Sequence, residues 1–126
     1  MLVLAALLAL PAAAGDHGAR DERGVLLAIA RAPLDMRTRV NPYRDDATAV
    51  AAGAKLYRQN CAACHGSDGG GSNRATNLRS DGVQSATPGE LEWLIRNGNL
   101  TGGMPAWSRL PEARRWQLVT YVVSLR

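Results

Sequence analysis

The chain is short of most of what a reactive or nucleic-acid-binding site needs. It has two cysteines and two histidines, and His17 lies far from Cys61, Cys64 and His65. A structural zinc site wants four ligands, so zinc is a poor match. No glycine-rich loop leads into Lys-Ser or Lys-Thr; the GGGS at 69–72 is only flexible chain. No serine–histidine–acid set suggests itself, and the acids read mostly as helix caps or surface residues. Lysine is almost absent: fourteen of the fifteen basic residues are arginine. They are scattered among eleven acids instead of clustered, which argues against nucleic acid. The net charge of +4 suits a mild steering field toward an acidic partner. No alternating strand pattern of any length occurs, and no internal repeat.

Long apolar runs are missing too. Residues 1–15, MLVLAALLALPAAAG, carry no charge, but Pro11 interrupts the run after ten residues. A bilayer helix needs about 20. The small residues Ala12, Ala13, Ala14 and Gly15 form an AxA-like cleavage site, so the stretch reads as a signal peptide without its usual basic start. Secretion is favoured over an uncleaved anchor. The expected division is a signal peptide at 1–15, an N-terminal extension at 16–46 and one compact domain at 47–126.

What the sequence does have is CAACH at residues 61–65. In an exported chain, two cysteines can form a disulfide, but a Cys61–Cys64 loop would staple almost nothing. They can form a redox dithiol. Neither reading uses His65. Attachment of a c-type haem uses all three: both thiols add to the vinyl groups, and the imidazole ligates iron from one face.

The surrounding pattern is helical. Residues 47–65 have helix-like composition, with Asp46 ahead as an N-cap. Ala49, Gly53, Leu56 and Tyr57 share roughly one face that leads into the cysteines. Residues 66–79 hold four glycines and form a loop, as a chain turning around a bulky plate would need. Residues 87–98 carry every mark of a helix: Thr87 as cap, Pro88 in the first turn, Glu90 completing a capping box, and Gly98 as stop. Leu91, Leu94 and Ile95 give its apolar stripe. A last helix spans about 111–125, with Trp116, Leu118, Val119, Tyr121, Val122, Val123 and Leu125 on a broad buried face. Within the extension, residues 24–34 make a short helix ending near Pro33, and Asn41-Pro42 signals a turn or extended chain. The extension reads as a wrapping or partly disordered tail before it reads as a docking arm built on Arg37, Arg39 and Arg44.

Such a helical domain of about 80 residues supplies only ~3–5 kcal/mol from its own core. A covalent haem would fill the middle, and the chain without it is expected to be largely unfolded. Iron held by His65 calls for a sixth ligand. His17 lies by the cleavage point and Met36 in the arginine-rich arm, whereas Met104 sits in the glycine-flanked loop GGMPAW. A thioether opposite histidine is a known haem pairing; otherwise Met104 is core filler or surface. Trp93 or Trp107, and Arg74, Arg79, Arg96 or Arg109, are candidates to hold the haem propionates, beside the plainer roles of core and surface.

Residues 51–125 resemble a class I c-type cytochrome of the small bacterial, mono-haem, His/Met-ligated kind. Gly53 and Tyr57 resemble that family's N-terminal-helix glycine and aromatic. CAACHG at 61–66 matches its attachment signature, and GGMPAW at 102–107 its distal-methionine loop. Leu118 and Tyr121 resemble the positions where the last helix crosses the first. The resemblance implies an all-α, cytochrome c-like domain of three to five helices around one covalently attached haem c. Cys61, Cys64, His65 and Met104 would bind the cofactor, with His65 and Met104 on the metal. One feature departs from the family: a Gly-Pro pair before a leucine is replaced by Ala75-Thr76-Asn77-Leu78, so the group orienting His65 stays open.

The expected function is that of an exported, periplasmic electron carrier rather than an enzyme. It would serve an exported dehydrogenase, a terminal oxidase, or both. Three alternatives stand: a fixed electron-transfer subunit of a dehydrogenase or oxidase complex, an open-site haem sensor or enzyme, and a thiol–disulfide module without haem.

Overall fold

In the computed structural model, residues 17–126 are described, with side chains from Glu22 onward. The leader at 1–15 therefore lies outside the described residues, and so does the side chain of His17. Among the described residues there are seven α-helices and one 3-10 turn, with no strand. Four helices are long: α1 (His17–Ala30), α3 (Ala47–Asn60), α6 (Pro88–Asn97) and α7 (Glu112–Val123). Three are single turns: α2 (Leu34–Arg37), α4 (Ala62–His65) and α5 (Asp81–Gln84). The all-α architecture agrees with the sequence. Five of these helices, α3–α7, fall within the expected domain at 47–126, and α1 and α2 precede it.

The α3–α7 pair is the main packing contact. Asp46 caps α3, accepting from Thr48 N–H at 2.8 Å and Ala49 N–H at 3.1 Å. The buried face of α3 is Ala49, Gly53, Leu56 and Tyr57, as the spacing predicts. Gly53 is where α7 crosses. A Cβ there would lie 2.1 Å from the Gln117 carbonyl oxygen and 2.8 Å from Tyr121 Cβ, so only glycine lets the backbones approach this closely. Below the crossing, Leu118 packs with Leu56 and Tyr57.

The capping box of α6 is present. Thr87 N–H donates to Glu90 Oε2 at 2.8 Å, and Glu90 N–H to Thr87 Oγ1 at 3.2 Å. Leu91 and Leu94 are buried and Ile95 half-buried. Leu91 joins Val83, Trp116, Val119 and Val122 in the central core. Glu92 is fully buried, and it accepts from Arg115 Nε at 2.7 Å. Burial of a carboxylate is tolerated because the guanidinium is equally enclosed and bonds back to the Leu110 carbonyl.

The segment before Ala47 is packed against the helices. The helix starts at His17, earlier than the predicted residue 24, because Ala19, Arg20, Glu22 and Arg23 are good helix formers. It ends at Ala30, ahead of Pro33. Ala28, Ile29, Ala32 and Met36 are buried, and α1 lies against α5 and α6, with α2 on α6. Asn41 is also buried; its amide donates to Thr120 Oγ1 at 2.9 Å. Two of the three arginines considered for a docking arm have internal partners. Arg37 donates to the carbonyls of Ala32 at 2.9 Å and Ala30 at 2.7 Å. Arg39 pairs with Glu112 and lies over the Trp116 ring, 5.4 Å from its centroid. Arg44 is exposed, beside Asp45.

Candidate functional site

The CAACH motif is a direct continuation of α3. Cys61 ends that helix and opens α4. His65 N–H bonds to the Cys61 carbonyl at 2.9 Å, one helical turn back. Residues 61 and 65 therefore lie on the same side of the turn. Cys61 is half-buried, Cys64 exposed, and both are free thiols.

The glycine-rich loop folds back over this turn. Gly71 has a φ of +84°, and a Cβ on it would meet Asn77 N at 2.7 Å. This position needs glycine both for its backbone conformation and for its close contact. The payoff is local: Gly71 N–H reaches the His65 carbonyl at 2.8 Å, and Ser72 Oγ–H the Cys64 carbonyl at 2.6 Å. Tyr57 Oη–H donates to the Gly66 carbonyl at 2.5 Å. Burial, then the neighbouring Tyr121 and Cys61, push the Tyr57 phenol up to about 12, so it keeps its proton as a donor.

The loop also resolves what faces the histidine. His65 Nδ1 lies 2.9 Å from the Thr76 carbonyl oxygen. A carbonyl only accepts, so Nδ1 carries the proton and Nε2 is the nitrogen with a free lone pair. Thr76 belongs to the string that replaces the resembled family's Gly-Pro pair, and its backbone supplies the contact without a proline.

Cys61, Cys64, His65 and Met104 line one cavity of about 290 Å³. Its remaining walls are mostly apolar and include Leu78, Val83, Leu94, Ile95, Leu118 and Val122. Met104 reaches it from the loop after α6. That loop is closed by a reciprocal pair: Asn99 N–H to the Met104 carbonyl and Met104 N–H to the Asn99 carbonyl, each 3.0 Å. Trp107 N–H is tied to the Ile95 carbonyl at 2.9 Å.

The secondary candidates separate cleanly. Trp107 and Arg74 line the cavity. Trp93 instead packs on the cluster of Ala28, Ile29 and Leu94. Arg79 donates to the carbonyls of Asp68 at 2.8 Å and Leu125 at 3.1 Å. Arg96 points at the Met36 sulfur, 3.9 Å away. Arg109 is not among the cavity residues. Met36 is a buried core residue outside the cavity.

Two contributors escape sequence reasoning. One is the Thr76 carbonyl, a backbone group with no side-chain signature. The other is α1, which supplies Gly24, Val25, Ala28 and Ile29 to the cavity wall. The 24, 25, 28, 29 spacing is a helix-face signal, but nothing in it names the surface it meets. As for thiol chemistry, burial pushes the Cys61 thiol up to about 11, with Cys64 adding to the effect. Reactive dithiols show the opposite shift.

One family model and several known proteins match the chain. Residues 48–122 match the family described as Cytochrome C oxidase, cbb3-type, subunit III. The chain is 38% identical over 98 residues to the Cbb3-type cytochrome c oxidase subunit CcoP of Azospirillum sp. (strain B510), covering 68% of this chain and 32% of that protein. The CcoP subunit of Azospirillum brasilense is 34% identical over 94 residues, with the same coverage of 68% and 32%. The chain thus spans about a third of the length of these two relatives. Cytochrome c6 of Leptolyngbya boryana is 35% identical over 76 residues, which is 59% of this chain and 89% of that protein. No solved structure matches significantly. A helical chain whose CAACH segment and Met104 loop meet at one cavity, and whose residues 48–122 carry the match, belongs to the cytochrome c oxidase, cbb3-type, subunit III family.

Proposed function

We propose that the chain carries one covalently attached haem c and passes single electrons between exported redox proteins. The observation that supports this most is the convergence of Cys61, Cys64, His65 and Met104 on one apolar cavity. The donor set fits the group: two thiols with two residues between them, one imidazole whose Nδ1 faces a carbonyl, one thioether, and mostly apolar walls. Haem c, when bound, supplies a one-electron couple.

The protein's own residues do the rest. Cys61 and Cys64 would anchor the porphyrin edge, and the half-buried Cys61 sits against the Leu56–Tyr57–Leu118 cluster. The Thr76 carbonyl faces His65 Nδ1, which would leave Nε2 to hold the metal. Met104, on the same cavity, would hold the metal together with His65, and a site supplied with two protein ligands suits a carrier instead of an enzyme. The apolar walls exclude water and favour the less charged, reduced state. Trp107 and Arg74 are the cavity residues suited to pairing with propionates. Electrons would pass at the edge beside the exposed Cys64, through a small encounter surface. The apolar leader and the family point to the periplasmic side. Among the described residues no helix is long and apolar enough to cross a membrane.

The test is an optical spectrum and intact mass of exported, matured protein. The expected result is the mass of the polypeptide plus one haem, and a weak far-red ferric band that disappears in Met104→Ala. Colourless protein with the polypeptide mass alone refutes the proposal. A second reading, a fixed subunit of an oxidase, is favoured by the two CcoP relatives. Size-exclusion chromatography of native extract separates them: a shuttle migrates alone, whereas a subunit co-migrates with a large complex.

A further inference from the structure

Helix α1 lies outside the residues that carry the family match, which begin at residue 48. Its inward residues nevertheless form part of the site. Val25, Ala28 and Ile29 line the cavity. Ala28 and Ile29 are buried with Leu94 in one cluster, and the Met104 side chain packs against that cluster. The opposite side of α1 is open, with Leu26 and Leu27 exposed by 46% and 66%. Backbone hydrogen bonds to Asn99 fix where Met104 starts, but not where its sulfur goes. A methionine side chain turns about three bonds and adapts to whatever surrounds it. Its placement here depends on packing.

Helix α1 is itself well secured. Arg37 bonds the carbonyls of Ala30 and Ala32 at its C-terminal end and lies 3.6 Å from Glu90 Oε1 on α6. Met36, which follows on α2, is buried. The wall is therefore anchored independently of the loop that it meets.

We propose that α1, through Ala28 and Ile29, is a positioning element for the Met104 thioether: it holds the sulfur in the ligating place and resists its replacement by outside ligands. This rests on the reading of Met104 as the sixth ligand. When the brace is trimmed, the fraction of protein with the sulfur in place falls, and an outside ligand gains apparent affinity by the same factor.

The test uses matured holoprotein and imidazole as the probe. Three variants are compared with wild type: Ile29→Ala, the conservative Ile29→Val, and Leu27→Ala on the outward face. Imidazole is titrated into the ferric protein while the far-red band is followed, and the midpoint potential is measured alongside. Ile29→Ala is expected to bind imidazole about tenfold more tightly, as for loss of one ordinary apolar contact, and to lose the band at lower temperature. Ile29→Val should recover most of the wild-type behaviour, and Leu27→Ala all of it. Unchanged imidazole affinity and potential in Ile29→Ala, with only a lower melting temperature, would show α1 to be a structural prop and overturn the inference. Should Ile29→Ala not mature, the milder Ile29→Val decides: a smaller shift in the same direction supports the brace, and none overturns it. Met104→Ala reports on the underlying reading separately. If it leaves the band and imidazole affinity unchanged, Met104 is not the ligand, and the inference falls with that reading, whatever Ile29 does.

Discussion

Consider the chain deprived of both thiols, as Cys61→Ala/Cys64→Ala, and so unable to retain haem. The cavity they help to line measures about 290 Å³. At roughly 24 cal/mol per Å³ of unfilled apolar space, leaving it empty costs up to about 7 kcal/mol. That figure is an upper bound, because the mouth admits water. The whole stability of a single domain is about 5–15 kcal/mol, and a core this small sits at the lower end. Several walls, among them Val83, Leu91, Leu94, Leu118 and Val122, are the core residues themselves. Nothing behind them would replace the lost contacts. The variant is expected to show far-UV circular dichroism of a largely unfolded chain, with no cooperative urea transition. A native-like helical spectrum with a sharp transition would refute the argument that the fold depends on what fills the cavity.

Other expectations concern particular contacts. Gly53→Val places branched carbons where Gln117 O and Tyr121 Cβ already stand at 2.1 and 2.8 Å from a Cβ. The helices must part, at about 3 kcal/mol, the upper end for overpacking, read as a melting point lower by roughly 10 °C; an unchanged melting point would contradict the crossing. Arg115→Met strands the buried Glu92 carboxylate and should destabilise by about 3–5 kcal/mol in urea titrations, while adding Glu92→Leu should restore much of it. A double variant no more stable than Arg115→Met would argue that the two residues act separately. Hydrogen bonds from Arg39 and then Trp116 hold the Glu112 carboxyl below its ordinary range. Its contribution is present above the carboxylate range and lost as pH falls through the lowered pKa. Arg39→Ala should thus differ from wild type by less than about 1 kcal/mol at neutral pH, the gap closing in acid. A gap that persists in acid would assign the effect to the Trp116 contact instead.

Local signals in the sequence translated directly into local structure. Asp46, Thr87 with Glu90, and Gly98 each act within a few residues of themselves, so their caps were legible. The faces of α3 and α7 were legible too, because burial repeats with the helical period. The features missed are those whose partners are distant. Ala28 and Ala32 look like filler until α6 lies against them. Arg37 and Arg39 look like a solvated basic arm until Glu90, Glu112 and Trp116 arrive from 50 or more residues away. Glu92 looks like surface because its partner is 23 residues downstream. Of the candidate site, CAACH and GGMPAW carry their own marks. The Thr76 carbonyl has none, since every residue owns one.

Asn41 and Arg39 give the upstream segment a grip on α7, at Thr120 and Trp116. The unit defined by similarity and the unit that stands up mechanically therefore differ. A fragment cut to begin at residue 48 would keep every residue of the CAACH motif. It would also bare an indole, strip a buried hydroxyl of its amide donor, and open one side of the chamber to water. Potentials or ligand affinities measured on such a fragment would describe a different molecule.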